Sequence, residues 1–320
     1  MNPLAGLFAA VVAARNSLYD RGALAIERLQ GPVISVGNIS VGGTGKTPFV
    51  IALGRELAAR GIPYDILSRG YRRRRKGTLR LPEAADPTLY GDEPALLQQE
   101  LQVAVFVANL RARAGKLAES EVGPQLHVLD DAFQHRRLYR DFNIVLLSPD
   151  NLHDRLLPAG RLREPLAALR RADAVVVPES FQETIPGFAG AVWKVRRRLI
   201  FDGEITGPAY AFCGIAQPPR FFELLLAQRV DLRGLHPFGD HHHYHEGDFN
   251  RLLEEAQRTG AEVLVTTSKD AVKLVRLQMP MEFMNRLRVA RLVTEIVETE
   301  AAMDYLLQTL RQRCPGWFSR

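Results

Sequence analysis

Cysteine is scarce: the 320-residue chain has two, Cys213 and Cys314. Two thiols cannot build a disulfide framework or a multi-cysteine zinc site, and they fit a reducing compartment. Lysine is scarce as well. Six lysines stand beside 36 arginines, so arginine supplies most of the basic residues behind a formal net charge of +6. Such a surface suits anionic partners (phosphates, nucleic acid, an acidic membrane face), or it reflects an arginine-preferring genome. No internal repeat or long low-complexity tract is present. With 46% hydrophobic and 24% charged residues, the composition excludes a disordered chain, a collagen-like repeat and a polytopic membrane protein. The length predicts about two domains and a core that needs no covalent staples.

The apolar run Leu4 to Ala14 has eleven residues, too few for the ~20 of a membrane span. It has the length of a signal-peptide core, but no basic residue precedes it. Beyond it, Leu18, Tyr19, Leu24, Ile26 and Leu29 alternate with Arg15, Arg21 and Arg28. That pattern reads as an amphipathic helix, lying in a membrane interface or packed on the protein's own core. The interfacial reading places those arginines at anionic headgroups.

Apolar strand-like runs and helical patterns alternate along the rest of the chain. Val33–Val36, Tyr64–Leu67, Val103–Val107, His127–Leu129, Ile144–Leu147 and Ala174–Val177 read as buried strands. Helices are predicted between them, over Thr47–Arg60, Glu93–Leu101 and Asn109–Leu117. This alternation predicts an α/β fold with a doubly wound, mostly parallel sheet of P-loop NTPase type. A basic strand-like stretch near Trp193–Glu204 leads to a second, smaller α/β unit. Its strands are predicted near Ala209–Cys213 and Val263–Thr267, with helices near Phe221–Leu226, Phe249–Arg258 and Glu298–Gln312.

The phosphate-binding signature is Gly42-Gly43-Thr44-Gly45-Lys46-Thr47, between a predicted strand and a predicted helix. Backbone N–H groups of such a loop wrap a phosphate at the positive helix end. Lys46 reaches the β- and γ-phosphates, and Thr47 is a Mg²⁺ ligand. Ser40 stands where the strict pattern has its first glycine. The run Leu126–Asp131 ends in two acids, Asp130 and Asp131, one of which can reach Mg²⁺ or its waters.

Asp92, in Gly91-Asp92-Glu93-Pro94, is either a helix N-cap or a catalytic carboxylate. Asp240 to His245 is the densest titratable tract. It reads as a solvated loop, a metal site, or a source of one His paired with a carboxylate. The basic run Arg72–Lys76 is a solvated face or an anion contact.

Taken in order, these residues resemble the tetraacyldisaccharide 4′-kinase (lipid A 4′-kinase) family of Gram-negative bacteria. The resemblance runs almost end to end, through Val36–Ile39, GGTGKTP (42–48), SRGY (68–71), GDEP (91–94), DDAFQH (130–135) and LPAGRLREP (157–165). It continues through AFCGIA (211–216), FGDH (238–241) and TTSKDAVKL (266–274). It implies transfer of the γ-phosphoryl of ATP to the 4′-hydroxyl of a tetraacylated disaccharide 1-phosphate, giving lipid IVA. It implies ATP and Mg²⁺ as cofactors and peripheral attachment at the cytoplasmic face of the bacterial inner membrane. By the same resemblance Asp92 and His241 form the base, and Lys46 and Arg163 meet the ATP phosphates. Gly42, Gly43, Thr44, Gly45, Lys46 and Thr47 cradle the nucleotide. Thr47, Asp130, Asp131 and Gln134 match the Mg²⁺ site. Ala132 and Gln217 depart from the usual Gly and Asn of the family motifs.

The expected organisation is residues 1–30 as the membrane-interface helix, 31–192 as the ATP-binding core and 193–205 as connecting strands, with 206–320 completing the active site. A P-loop GTPase or metallochaperone is the rival reading. Guanine readers use an Asn-Lys-x-Asp loop, whereas Lys269 and Asp270 are adjacent here. No signature of nucleic-acid binding is present, and no obligate protein partner is implied.

Overall fold

The computed structural model describes residues 3–318. Twelve strands among them form one sheet: β1 (Val33–Asn38), β2 (Tyr64–Ser68), β3 (Leu79–Arg80), β4 (Val105–Val107), β5 (Leu126–Asp130), β6 (Phe142–Leu146), β7 (Ala174–Pro178), β8 (Ala191–Phe201), β9 (Ala209–Cys213), β10 (Leu232–Pro237), β11 (Val263–Thr267) and β12 (Leu287–Ile296). Their order across the sheet is β10-β9-β11-β12-β8-β7-β6-β1-β5-β2-β4-β3. The helices are α1 (Pro3–Asp20), α2 (Lys46–Ala59), α3 (Pro87–Tyr90), α4 (Asp92–Leu101), α5 (Arg111–Val122), α6 (Pro218–Ala227), α7 (Glu246–Thr259), α8 (Ser268–Leu274), α9 (Met281–Arg286), α10 (Thr299–Arg313) and α11 (Pro315–Phe318).

β1, β2, β5 and β6 are buried along their whole length, which is why they read as unbroken apolar runs. β1 lies parallel between β5 and β6. The chain passes from β5 over β1 to β6, so the strand order reverses there. In open α/β sheets, ligands bind outside the carboxyl ends of the strands at such a point. The loop after β1 and the acids ending β5 both lie there.

The basic stretch expected as a connector is part of the sheet. β8 pairs parallel with β7 and antiparallel with β12, and so joins the two halves of the sheet. Trp193, Val195 and Leu199 are buried, while Lys194, Arg196 and Arg198 point to solvent, the period-two pattern of a strand with one wet face. The C-terminal helix returns to the first half. Ala302, Met303, Leu306 and Leu310 of α10 share a core with Ile34, Phe49 and Phe142. The second half has its own apolar layers, Phe221, Leu225 and Val265 on one face and Phe212, Phe249 and Phe283 on the other.

The N-terminal helix is shorter than the expected 1–30, whose first two residues lie outside those described. It ends at Asp20, where Arg21 N bonds to Ser17 O and Ala23 N reaches back to Leu18 O. Two of the arginines assigned to headgroups are engaged within the protein. Arg15 Nη2 lies 3.2 Å from the fully buried Glu164 Oε1, and the Arg28 guanidinium stacks 3.4 Å over the Tyr139 ring. Glu164, buried without its own shell of water, needs a cation beside it, and the Tyr139 ring face attracts the Arg28 guanidinium. Leu7, Val11 and Leu18 remain exposed on α1. No helix of the described residues is long and apolar enough to cross a membrane.

Candidate active site

The phosphate loop runs from the end of β1 into α2. Gly42 (φ 102°) and Gly45 (φ 81°) take left-handed conformations that side chains resist. Ser40 does not, so the missing first glycine costs nothing. Instead Ser40 pairs with Leu162 in an isolated bridge, and its Oγ lies 3.4 Å from Asn151 Oδ1. Asn38 Nδ2 donates to Thr44 Oγ1 at 3.1 Å and stiffens the loop from below.

The two acids after β5 point to different tasks. Asp130 ends the strand, is buried, and receives Ser68 Oγ at 3.5 Å. Burial, with the charges of Glu93 and Asp131, pushes its carboxyl up from the usual range. Asp131 sits in left-handed backbone at φ 49°, which swings its side chain the other way. Its Oδ1 lies 3.4 Å from Lys46 Nζ and its Oδ2 3.4 Å from Arg163 Nη1. Burial alone would raise this carboxyl, but Lys46 and Arg163 outweigh it and hold it low. The carboxylate thus stands between two cations expected to meet phosphates. Gln134 Nε2 donates to the Asn38 carbonyl at 2.7 Å, and Thr47 lies half-buried in the first turn of α2.

The donor set fits a Mg²⁺–nucleotide complex. Asp131 Oδ1 is buried without a hydrogen bond, and Asp130 is crowded by two other carboxylates. A divalent cation relieves both. Among the described residues no group of three or more His, Cys, Asp or Glu side chains is arranged to hold a metal. That suits Mg²⁺, which takes one or two carboxylates and fills its remaining positions with waters and phosphate oxygens.

Asp92 is the first residue of α4, and its carboxylate is not a cap. Asp92 Oδ2 lies 3.0 Å from His241 Nδ1, both side chains being buried. Gly91 makes this possible. At φ 100° it tolerates a conformation closed to other residues, and a Cβ there would meet Tyr71 O at 3.1 Å and Gly70 Cα at 3.2 Å. The SRGY and GDEP loops therefore touch backbone to backbone. Burial works to raise the Asp92 carboxyl, but His241, Lys273 and Lys269 together hold it below its ordinary value.

The histidine tract divides. His241, at φ 60°, goes to Asp92. His242 stacks on Phe238 at 4.3 Å and bonds to Asp248 at 2.9 Å, and His245 N also donates to Asp248. The metal reading of the tract finds no support among the described residues: His241 turns to Asp92, and only the pair His242 and His245 meets at Asp248. The basic run is mostly a solvated face: Arg72, Arg74, Arg75 and Lys76 are exposed and Arg73 is buried, with three of the arginines also bonded within the protein. Arg72 donates to Asp240 O at 2.7 Å, Arg73 is buried against Gly77 O, and Arg75 bonds to Tyr90 Oη at 2.7 Å.

Four neighbours were not singled out from the sequence. Lys269 and Lys273 of α8 lie beside the Asp92–His241 pair, and Glu93 accepts from Lys269 Nζ at 3.3 Å. Arg197 of β8 donates to Thr44 O at 2.8 Å. The TTSKDAVKL run was the available signal for the lysines; for Arg197 there was only a basic strand.

The tetraacyldisaccharide-1-P 4′-kinase family model matches residues 1–311. The chain belongs to this family. A tetraacyldisaccharide 4′-kinase of Koribacter versatilis is 42% identical over 98% of this chain and 99% of its own length. One from Aquifex aeolicus is 39% identical over 85% of this chain and 88% of its own. Among solved structures, the "apo" form of LpxK from Aquifex aeolicus in complex with ATP, at 2.2 Å, matches with a TM-score of 0.79. That match has 33% identity and covers 96% of this chain and 97% of that one. This member of the kinase family thus shares its α/β fold along nearly the whole chain.

Proposed function

We propose that the chain transfers the γ-phosphoryl group of ATP to the 4′-hydroxyl of an acylated disaccharide 1-phosphate, forming lipid IVA in lipid A biosynthesis. One observation carries the reading. The Asp92–His241 pair stands beside the two acids at the end of β5, with Glu93 linking them. Glu93 receives Lys269 and is close enough to Asp130 to shift its carboxyl.

A sugar hydroxyl is a poor nucleophile, and a carboxylate positioned against it takes its proton as the loose phosphoryl transition state forms. Asp92 takes that proton, and His241 orients it. The hydroxyl O–H breaks, the new O–P bond forms, and the bond to the β-phosphate oxygen leaves its electron pair on ADP. Lys46 and Arg163 turn from Asp131 toward the phosphate oxygens and offset their charge. Gly42 to Thr47 cradle the phosphates. Thr47, Asp130, Asp131 and Gln134 are the residues that would hold Mg²⁺ or its waters. When bound, that ion neutralises charge between the β- and γ-phosphates.

Residues 31–192 act as the nucleotide-binding unit and 206–320 as the unit that completes the base, with 193–205 linking them. The substrate's acyl chains keep it in the bilayer, so the enzyme works at the cytoplasmic face of the inner membrane, peripherally. Leu7, Val11 and Leu18, exposed on α1, are the supporting feature. The GTPase alternative is not favoured. Asp270 accepts from Gly214 N and Thr267 Oγ1, a buried structural role that leaves no guanine reader.

The deciding measurement is phosphotransfer from labelled ATP to the disaccharide 1-phosphate in detergent micelles with Mg²⁺. Label appears on the lipid if the reading is right. Nucleotide hydrolysis that ignores the acceptor refutes it.

A further inference from the structure

Lys269 reaches the base from a distant part of the chain. It lies in the first turn of α8, and Thr267 caps that helix by accepting from Asp270 N. Its ammonium is 3.3 Å from His241 Nε2 and 3.3 Å from Glu93 Oε1. The opposite ring nitrogen of His241, Nδ1, is 3.0 Å from Asp92 Oδ2. A neutral imidazole carries one N–H and one lone pair, whereas an ammonium is a donor only. Facing Lys269, Nε2 must accept. The ring proton then sits on Nδ1 and points at Asp92.

We propose that Lys269 is a positioning residue for the base: it fixes His241 as the Nδ1–H tautomer, so that Asp92 remains the anion that takes the hydroxyl proton. This rests on the kinase reading above. Lys269 neither gains nor loses a proton. It dictates where the proton of His241 is.

The surroundings explain why a cation is needed there. α4 contributes Asp92 and Glu93. The loop before α7 contributes Asp240, whose Oδ2 is 3.8 Å from His241 Nε2. The edge of Tyr71 meets the His241 ring at 5.4 Å, and Arg72 holds the Asp240 carbonyl rather than its carboxylate. Asp240 would accept from an Nε2–H and so favour the other tautomer; Lys269, a donor only, leaves Nε2 as the acceptor and the ring proton on Nδ1.

Lys273 does a different job. Its ammonium is 2.8 Å from the buried Asp270 Oδ1 and 3.8 Å from Asp92, and it donates to His242 O. Its partners are Asp270, Asp92 and the His242 carbonyl rather than a ring nitrogen of His241. Burial works against an ionised Asp92, and His241, Lys273 and Lys269 oppose it in that order. Removing Lys269 therefore raises the Asp92 carboxyl toward its ordinary value.

The test is the pH profile of kcat/KM for the wild type, Lys269→Met and Lys269→Arg, with ATP affinity measured in parallel. Lys269→Met is expected to lose roughly tenfold to a hundredfold at neutral pH. Its acid limb moves to higher pH, and ATP affinity stays within about twofold. Lys269→Arg keeps the limb in place. A loss that is uniform across pH, with the limb unmoved, overturns the proposal. So does a tenfold loss of ATP affinity with kcat intact, which makes Lys269 a phosphate contact. If Lys269→Met does not fold, the ¹⁵N resonances of His241 in the wild type decide, assigned against His241→Gln. A bare Nε2 and a protonated Nδ1 support the proposal; a protonated Nε2 overturns it. Absence of phosphotransfer in the wild type would instead sink the kinase reading itself.

Discussion

His241 Nδ1 lies 3.0 Å from Asp92 Oδ2, although 149 positions of chain separate them. One partner opens α4 in the first half of the sheet; the other sits in left-handed backbone before α7 in the second. A non-glycine residue held at φ 60° is strained by about 1–3 kcal/mol, a cost usually tolerated where a side chain must be aimed. The pair is therefore expected to work as a unit. Asp92→Asn and His241→Ala should each lower kcat by roughly 10²–10⁴. The double variant should be little worse than the poorer single one. Fully multiplicative losses in steady-state kinetics would mean that the two act independently.

Lys46→Ala should abolish transfer and leave the fold intact. The ammonium faces Asp131 and the loop that wraps the phosphates, and its loss removes several kcal/mol of transition-state stabilisation, about a thousandfold or more in rate. Activity within about tenfold of wild type, in a variant whose circular dichroism is unchanged, contradicts the assignment.

His135 predicts an acid-labile fold. Burial, reinforced by the charges of Arg111 and Arg140, pushes its imidazole down to about 4 from 6.5, and its Nε2 accepts from Arg111 N at 3.3 Å. The native state therefore resists the proton that the unfolded chain accepts. The neutral ring's contribution is complete above about pH 6.5 and is lost as the pH falls toward 4. Urea unfolding at pH 7 and pH 5 should show a smaller loss of stability in His135→Gln than in wild type. Equal losses refute this.

Glu164 is fully buried and collects Arg15, Asn16 and Arg171. It anchors α1 to the loop that carries Arg163. Glu164→Ala strands the half-buried Arg171 guanidinium and should cost about 3–5 kcal/mol. Trypsin should then cut at Arg15 or Arg21 faster than in wild type. Unchanged cleavage would show that α1 is held by other contacts.

Leu7, Val11 and Leu18 are 64%, 59% and 45% exposed, so serine at all three should leave the melting temperature within a few degrees of wild type. Sedimentation with vesicles of anionic phospholipid should drop for that variant, and ATP affinity should not change. Retained sedimentation would place the membrane contact elsewhere.

Much of this was legible in linear order. Val33–Val36, Gly42–Thr47 and Thr47–Arg60 read as strand, phosphate loop and helix because buried parallel strands are continuously apolar and the loop's glycines are local requirements. β10 and β12 were not foreseen. β10 is at most half-buried, on alternate residues, and includes Arg233 and His236, and β12 is likewise half-wet, so neither stands out as an apolar run. Arg15 was read as a headgroup cation because its partner, Glu164, lies 149 residues away.

By itself the sequence determined the α/β class, the phosphate loop and the ordered motifs, since these depend on neighbours a few residues apart. Only the tertiary structure decided that β8 and β12 merge two halves into one sheet. It alone brought His241 and Lys269 to Asp92, and turned Asp131 away from Asp130 toward Lys46 and Arg163. Those pairings depend on strand order and on two left-handed residues, and local periodicity carries no record of either.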